Sequence, residues 1–366
     1  MGKITYDKVG DNYSTKDPIK VLAQKEASKT SRNLIAHGFK EIIETRGESA
    51  YVWKQGEIYM ASAIEGLGTK NIIADDVRKL TGKTYYDVVA HDTVASIIND
   101  LISVGATPLV LHAYWGIENN EWLSDKKRMT DFINGWTNAC NLAGVSWGGG
   151  ETPTLQGVMK KNQVEIGGSA VGIIKKKKRL ILGSKLRTGD RIILVKSTGI
   201  NANGASFIRA LAKKLKNGYA AKLPSGRIFG EAIMSKSNIY ATLIRELLDK
   251  NIDVHYLSNI TGHGLRKIMR ASVDFEYNIQ KLHKRSELFE FIQKEADMNN
   301  TEAYGTFNMG QDYAIFVPEK EVLKTLNIIK SNGFSGLDSG YIKKGTKKVI
   351  IEPISVVFEG NTLGVR

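Results

Sequence analysis

The sequence predicts an α/β protein of two domains, and three observations support that fold class. The chain has 366 residues, which is long for one hydrophobic core and favours two. Strand-like and helix-like stretches alternate along its whole length. The alternation starts again after the lysine-rich run at residues 175–179, which suits a solvated connector. We therefore predict one domain at residues 1–175 and a second at residues 176–366.

Apolar patterns define the elements of the first half. Residues 51–53 and 57–64 are predicted strands of a hairpin, because a turn-like Lys-Gln-Gly sequence separates them. Apolar residues recur at helical spacing through residues 93–105, which predicts a helix. Further strands are predicted at residues 109–115 and 164–174, and a further helix at residues 131–143.

The second half repeats this mixture of elements. A loop is predicted at residues 261–264, where glycine is frequent. Strands are predicted at residues 190–195, 312–317 and 348–353, and helices at residues 205–215, 239–248 and 319–331.

Charge and cysteine content limit the classes of function. The chain has 52 Lys and Arg against 38 Asp and Glu, a net charge of +14. The basic residues are dispersed and no nucleic-acid-binding motif accompanies them, so the charge suits phosphorylated small molecules better than nucleic acid. No apolar run reaches the length of about 18 residues that a membrane span needs, and we expect a cytoplasmic protein. Cys140 is the single cysteine, which excludes an intramolecular disulfide and predicts a small buried residue.

Four glycine-rich segments follow apolar runs and together indicate a site that binds phosphate. Glycine lets backbone N–H groups approach an anion, and a helix that begins at such a segment adds its dipole. The standard P-loop is absent, because Val77 stands where the first glycine would precede Gly82-Lys83-Thr84. The segments cover residues 65–70, 148–152, 197–204 and 260–264.

Candidate metal ligands lie on one face of the helix predicted at residues 93–105. Oxygen ligands suit Mg²⁺, which takes one or two carboxylates together with nucleotide phosphates. The alternative is that Asp92 caps the helix and Asp100 is solvated. The residues that share this face by their spacing are Asp92, Ser96, Asn99 and Asp100, and the other acidic candidates are Glu65 and Glu151.

Two histidines carry predictions. His263 lies inside a glycine-rich segment and is therefore the histidine we expect to have a function. His112 lies in an apolar strand and is predicted to be a hydrogen-bonded core residue.

In residues and in order, these segments resemble the AIR synthetase superfamily. The family's DGVGTK motif is matched by residues 65–70, NDLLVQGAEPL by residues 99–109, and GGETAEMPG by residues 149–157. In the second half, SSGLHSNGYSLVR is matched by residues 197–209, HITGGGL by residues 259–265, and FNMG by residues 307–310. Within the superfamily the chain most resembles the cyclo-ligase branch.

The resemblance implies both a fold and an activity. The fold would be two α/β domains, with the N-terminal halves of two chains forming a shared barrel-like sheet in a homodimer. The activity would be ATP-dependent conversion of formylglycinamidine ribonucleotide to aminoimidazole ribonucleotide in de novo purine biosynthesis, through an iminophosphate. ATP and Mg²⁺ are the implied cofactors, and a phosphorylated small molecule is the implied substrate.

The resemblance also implies a role for each matched residue. Lys70 would contact the nucleotide phosphates, and His263 would be a candidate proton carrier near neutral pH. The implied catalytic residues are Lys70, Glu151, Asn201 and His263. The implied ATP-binding residues are Glu65, Gly66, Gly68, Thr69, Lys70, Asn99, Gly149, Gly150 and Thr152. The implied substrate-binding residues are Ser197, Gly199, Asn203, Gly204, Asn259, Thr261, Gly262, Gly264 and Asn308, and the implied Mg²⁺ ligands are Glu65, Asp92 and Asp100.

Four positions depart from the family's motifs. Glu65 replaces an aspartate, Asn201 and Asn259 replace histidines, and His263 replaces a glycine. Two alternatives therefore stay open beside the cyclo-ligase. One is a divergent paralogue that activates another amide with ATP, and the other is a non-catalytic basic relative that binds nucleic acid.

Overall fold

The computed structural model describes residues 13–364, and in them two mixed sheets carry helices, which confirms the α/β class. The division near residue 176 stays a prediction. The strands of the first half are β1 (Lys40–Glu41), β2 (Tyr51–Gln55), β3 (Ile58–Gly66), β4 (Thr107–Ile117), β5 (Ser146–Glu151) and β6 (Val164–Ile174). Its helices are α1 (Tyr13–Ser28), α2 (Arg32–Ala36), α3 (Lys70–Thr81), α4 (Tyr86–Ile102) and α5 (Lys126–Ala143).

The first sheet has the strand order β1-β2-β3-β6-β4-β5. Strands β4 and β5 run parallel, whereas the other neighbours are antiparallel. Strand β5 is thus an edge strand, and its residues from Gly148 to Glu151 are exposed. An exposed edge presents unpaired backbone groups that another chain can cover.

Helix α4 is the central helix of this half. Its apolar side chains, among them Ile97, Ile98 and Leu101, are fully buried against β3, β6 and α5. Helix α5 approaches closely because Gly135 has no side chain; a Cβ there would lie 2.7 Å from the Asp87 Cα. The packing directs the polar residues of α4 toward the second half of the chain.

The second half forms a sheet with the order β13-β12-β9-β11-β7-β10-β8. Its strands are β7 (Arg191–Lys196), β8 (Tyr256–Asn259), β9 (Phe275–Ile279), β10 (Gln311–Val317), β11 (Gly336–Lys344), β12 (Lys348–Ile351) and β13 (Val356–Glu359). Its helices are α6 (Ala205–Lys214), α7 (Phe229–Ile233), α8 (Ala241–Asp249), α9 (Glu287–Glu295), α10 (Asn300–Thr306) and α11 (Val322–Ser331).

Most predicted elements are confirmed, and the differences have physical reasons. Helix α4 begins at Tyr86 rather than at residue 93, because tertiary packing buries Tyr86, Val88 and Val89 in its first turn. Asp92 therefore lies inside the helix and does not cap it, and Asp100 is buried rather than solvated. The glycine-rich segment at residues 148–152 is largely strand β5, which pairs with β4. Strand β13 was not predicted; it follows the strand predicted at residues 348–353.

Two further predictions concern single side chains. Cys140 is buried as predicted, and burial raises the pKa of its thiol to about 11. The prediction for His112 is wrong: its side chain is exposed on the outer face of β4, since the alternation along that strand turns it away from α4. Among residues 13–364, none of the helices is long and apolar enough to span a membrane.

Candidate active site between the two halves

The first cleft lies where the two halves of the chain meet, and the space between its walls is about 680 Å³, part of which is open solvent. Two glycine-rich loops form its walls, one between β3 and α3 and the other before α6. Ser96 and Asp100 of α4 contribute the polar face that the sequence predicted. The lining residues are Glu65, Gly66, Leu67, Gly68, Thr69, Ser96, Asp100, Ala202, Asn203, Gly204, Ala205, Ser206, Asn259 and Thr261.

Two helices begin at this cleft. Helix α3 starts after Thr69 and helix α6 after Gly204, and neither start has a side-chain cap. Gly204 adopts φ +76°, and a Cβ there would lie 2.3 Å from the Phe307 ring, so a larger residue does not fit. Thr69 Oγ1 and Ser206 Oγ lie 3.4 Å apart and link the two starts. Unpaired N–H groups and two helix dipoles therefore favour an anion at this position.

Two carboxyl groups lie on the wall of the same cleft. Glu65 is the last residue but one of β3 and is exposed to the cleft, whereas Asp100 is buried and accepts a hydrogen bond of 2.7 Å from Asn259 Nδ2. Partial removal from water, reinforced by the Asp100 carboxylate, raises the pKa of Glu65 to about 8. A pair of this kind attracts a cation, because a cation relieves the repulsion between the carboxylates.

The second cleft adjoins the first, and the space between its walls is about 1240 Å³, part of which is open solvent. Glu65, Asp100, Asn203 and Thr261 line both clefts and form their junction. Helix α1 covers one side of the second cleft through Lys20 and Gln24. The other lining residues are Glu48, Ser49, Ile64, Gly262, His263, Lys267, Arg270 and Leu363.

His263 lies in the second cleft, but its protonation differs from the prediction. Burial, together with the cations Lys267, Arg266, Lys20 and Arg270, lowers the pKa of the imidazole to about 2. The contact of 3.5 Å between His263 Nε2 and Asp17 is therefore made by a neutral ring. A neutral ring at pH 7 does not suit the proton-carrier role, which we withdraw.

Lys70 and Asp92 lie behind the cleft wall rather than in it. Both side chains are fully buried and form an ion pair. Lys70 Nζ also donates to the backbone oxygens of Asn201 at 2.8 Å and Ser235 at 3.4 Å. The second oxygen of Asp92 accepts from the Ser237 N–H at 2.8 Å. Neither residue lines either cleft, so Lys70 does not face a phosphate site, and Asp92 is not part of the carboxyl pair.

Further buried hydrogen bonds join the two halves beside this ion pair. Asn99, predicted to bind ATP, instead donates to the Asn238 carbonyl at 2.9 Å and accepts from the Tyr240 N–H at 3.0 Å. Asn201 donates to Asp312, whose other carboxyl oxygen accepts from Tyr240 Oη at 2.7 Å. Burial raises the pKa of Asp312 to about 6. The side chain of Asn99 therefore holds the two halves together, whereas the Asn201–Asp312 bond orders the second half itself.

Other predicted substrate-binding residues shape the loops. Asn308 is buried and donates to the Gly199 carbonyl at 2.9 Å, and Ser197 Oγ donates to the same oxygen at 2.6 Å. Gly264 has φ +56°, and a Cβ there would lie 2.0 Å from the Tyr304 carbonyl oxygen. Of the predicted substrate-binding residues, Ser197, Gly199, Gly264 and Asn308 line neither cleft, whereas Gly262 lines the second.

The residues on β5 and just after it lie apart from both clefts. Gly149, Gly150, Glu151 and Thr152 are exposed at the sheet edge and line neither cleft. The three predicted Mg²⁺ ligands are also not assembled. Within residues 13–364 no group of three or more Asp, Glu, His or Cys side chains could hold a metal ion. Of the three predicted ligands, Glu65 and Asp100 line a cleft and Asp92 does not.

The sequence interpretation missed several residues of this region. Lys267 and Arg270 line the second cleft, but in the sequence they are two of many basic residues that are dispersed along the chain. Asp312 and Tyr240 of the buried network lie in apolar runs that signal only a core. The basic residues that directly follow the glycine-rich segment at residues 260–264 could have indicated that this part of the chain lies at the site.

Comparison with known proteins assigns the family. The model of the AIR synthase related protein N-terminal domain matches residues 47–174, and that of the C-terminal domain matches residues 187–351. Phosphoribosylformylglycinamidine cyclo-ligase of Methanosarcina barkeri is 30% identical over 275 residues, which cover 75% of this chain and 78% of that protein. The protein of the same name from Methanobrevibacter smithii is 29% identical over 329 residues, covering 89% of this chain and 91% of its own.

Solved structures show the same fold at low sequence identity. The HypE–HypF complex has a TM-score of 0.62 at 17% identity and covers 86% of this chain and 93% of the matched one. Hydrogenase maturation protein HypE in complex with ATP has a TM-score of 0.59 at 15% identity and covers 83% and 84%. AaThiL complexed with AMPPCP and TMP has a TM-score of 0.58 at 14% identity and covers 85% and 89%.

These matches favour an enzyme over the non-catalytic, nucleic-acid-binding alternative. Both family models match in order, and the curated relatives align along most of their own length and are named as ligases. The chain therefore belongs to the AIR synthase related protein family and is an enzyme.

Proposed function

We propose that the protein is an ATP-dependent cyclo-ligase that converts formylglycinamidine ribonucleotide to aminoimidazole ribonucleotide. One observation carries the proposal: the starts of α3 and α6 meet at a cleft whose wall also presents the carboxyl groups of Glu65 and Asp100. Helix starts attract phosphate, and a carboxyl pair attracts the cation that accompanies nucleotide phosphates. The names of the curated relatives suggest the substrate.

The two clefts suit two ligands. In this proposal the first cleft takes the ATP phosphates, held by backbone N–H groups of residues 66–69 and 203–206. The second cleft takes the ribonucleotide, and the junction brings the reacting groups together. Asn203 and Thr261 line both clefts, so they are placed to orient the acceptor. Lys70 acts indirectly, since its bonds to Asp92 and to the Asn201 carbonyl fix both loops.

The residues present fit a Mg²⁺ ion at the first cleft. Glu65 and Asp100 would supply one or both protein ligands, which is the usual number where nucleotide phosphates and water complete the shell. Burial first, and then the Asp100 carboxylate, raise the pKa of Glu65, and a cation between the two groups would lower it. When bound, the ion would neutralise charge on the phosphate oxygens.

The proposed chemistry explains the need for ATP. A formyl oxygen is a poor leaving group, whereas phosphate is a good one. Transfer of the γ-phosphoryl group to that oxygen would be followed by attack of the amidine nitrogen on the formyl carbon, with release of phosphate and a proton. The protein's contribution is orientation and stabilisation of phosphate charge.

We further propose that the working unit is a homodimer. Gly149, Gly150 and Glu151 match a motif of the family but lie at the exposed edge of the first sheet, outside both clefts. Exposed apolar side chains accompany them on this sheet: Ile64 is 79% exposed and Leu109 is 41% exposed. A second copy that packs on this face would cover these residues and bring its own β5 segment toward the first cleft.

The dimer proposal predicts a mass. Light scattering after size-exclusion chromatography should give a particle of twice the chain mass of 40.4 kDa. Ile64→Lys should shift the particle toward the monomer, because it places a charge in the covered face. Leu323→Lys, at a residue on α11 that is 70% exposed, should leave the mass unchanged. A wild-type monomer at working concentrations would refute the dimer.

A second candidate is a paralogue that activates another amide with ATP, and Asn201 favours it. This residue stands where the cyclo-ligase motif has a histidine. Its side chain is buried and donates to Asp312, and it lines neither cleft. The buried hydrogen bonding at this position therefore differs from that of a histidine, and the loop that it supports would suit a different acceptor.

Coupled ADP release separates the two candidates. The purified chain with Mg-ATP should release ADP when formylglycinamidine ribonucleotide is added and should release little without it. ATP binding without release on this addition would favour the paralogue. Absence of ATP binding would refute both.

A further inference from the structure

Lys267 is a buried cation at the second cleft. It follows β8 in a short 3-10 helix, Gly264–Met269, and is 7% exposed. Its side chain nevertheless lines the second cleft. A lysine in such a position keeps its charge only at a cost unless an anion compensates it.

Lys267 has no direct ion pair among the described residues. Among residues 13–364, its Nζ has one hydrogen bond, to Thr261 Oγ1 at 2.5 Å, and no carboxylate oxygen within the 4.0 Å of an ion pair. Lys70, the other deeply buried lysine described above, pairs with Asp92 and has two further acceptors. Burial, with Arg270, lowers the pKa of Lys267, although the carboxylates of Asp100, Glu65 and Glu48 act in the opposite direction.

The position of Lys267 indicates where the missing anion would lie. Thr261, its one partner, belongs to the junction of the two clefts. Arg270 lines the same cleft and is held in place, since it donates to the Gly47 carbonyl and to Ser49 Oγ, both at 2.7 Å. Glu65 and Asp100 also line the cleft but belong to its junction end. An anionic oxygen that lies between Lys267 and Arg270 would therefore meet two cations.

We propose that Lys267 is a ligand-binding residue whose ammonium group binds a phosphate oxygen at the junction of the two clefts. The identity of the ligand rests on the proposed function: the phosphate belongs either to the acceptor ribonucleotide or to the γ-position of ATP. Either phosphate would supply the partner that Lys267 lacks in the protein: a charged oxygen that accepts hydrogen bonds from its two remaining N–H groups. The residue would thus be kept at the expense of stability because binding requires it.

Calorimetric titration of the full chain tests this proposal. Wild type and Lys267→Met are titrated, in the presence of Mg²⁺, with ADP, with AMPPCP and with ribose 5-phosphate. We expect Lys267→Met to bind at least one phosphate ligand about 30-fold more weakly. Loss for ribose 5-phosphate alone assigns the acceptor phosphate, and loss for AMPPCP but not ADP assigns the γ-phosphate.

Matched variants separate binding from structure. Lys267→Met should also unfold at a temperature about 2 °C higher, because it removes a buried unpaired charge. Lys267→Gln keeps a donor to Thr261 but no charge and should bind as weakly, whereas Lys267→Arg should retain most affinity. Lys324→Met, at a side chain 71% exposed, is the control and should bind as wild type does.

Two results keep the proposals distinguishable. Equal affinities of wild type, Lys267→Met and Lys267→Gln for all three ligands would overturn the role of Lys267, even if the wild type releases ADP with formylglycinamidine ribonucleotide. Lys267-dependent binding of ribose 5-phosphate by a chain that binds no nucleotide would support Lys267 while refuting the proposed function.

Discussion

Asp92→Ala should lower the free energy of unfolding by about 3–5 kcal/mol, the cost of leaving a buried charge without its partner. Asp92 pairs with Lys70 where neither side chain reaches solvent, and it also accepts from the Ser237 N–H. Its loss would leave the Lys70 ammonium uncompensated between the two halves. The measurement is urea unfolding followed by tryptophan fluorescence, which reports on the first half because Trp115, Trp136 and Trp147 cluster there.

Two controls sharpen this prediction. Lys79→Ala removes an exposed ion pair with Asp76 on the same helix and should change the unfolding midpoint little. The double variant Lys70→Met with Asp92→Leu removes both charges and should recover much of the lost stability. A single variant as stable as wild type would mean that the ion pair does not hold the halves together.

Glu65→Gln should lower the rate of ATP turnover by about 100-fold, in the range seen when one charge-stabilising group is removed from an active site. The amide keeps the size of the side chain but cannot become the carboxylate that a Mg²⁺ ion needs. Because the pKa of Glu65 is raised to about 8, the wild-type carboxyl group binds protons below that pH and competes with the cation. Wild-type turnover at limiting Mg²⁺ should therefore rise between pH 6 and pH 8, and the rise should be smaller in the variant.

Conservative changes test the role of Glu65 further. Glu65→Asp restores the residue of the family motif and should keep most of the activity. Glu57→Gln removes a charge at the exposed turn before the same strand and should behave as wild type. Turnover of Glu65→Gln at the wild-type rate and with the wild-type Mg²⁺ dependence would remove this residue from the site.

The site could be predicted where local sequence determines local structure. The glycine-rich loops at residues 65–70 and 197–204 lie together at the first cleft because each ends a strand and opens a helix. The spacing of Ser96 and Asp100 placed both on one face of α4, and that face lines the cleft. Periodicity and turn chemistry were sufficient for these elements.

Tertiary context decided the remaining features. Lys70 belongs to a motif that suggests phosphate contact, but the fold turns its side chain inward to Asp92, which no local pattern signals. Asn201 and Asp312 are far apart in the chain and meet only when the second half folds. Lys267 resembles a surface lysine in sequence, and only its burial and its one neutral partner distinguish it.

The most direct test of the proposed function is the stoichiometry of the reaction catalysed by the purified wild-type chain. With Mg-ATP and formylglycinamidine ribonucleotide supplied together, ADP and aminoimidazole ribonucleotide should form in equal amounts, with neither formed when one reactant is left out. ADP formed without aminoimidazole ribonucleotide, or no ADP from a chain that binds ATP, would contradict the cyclo-ligase function.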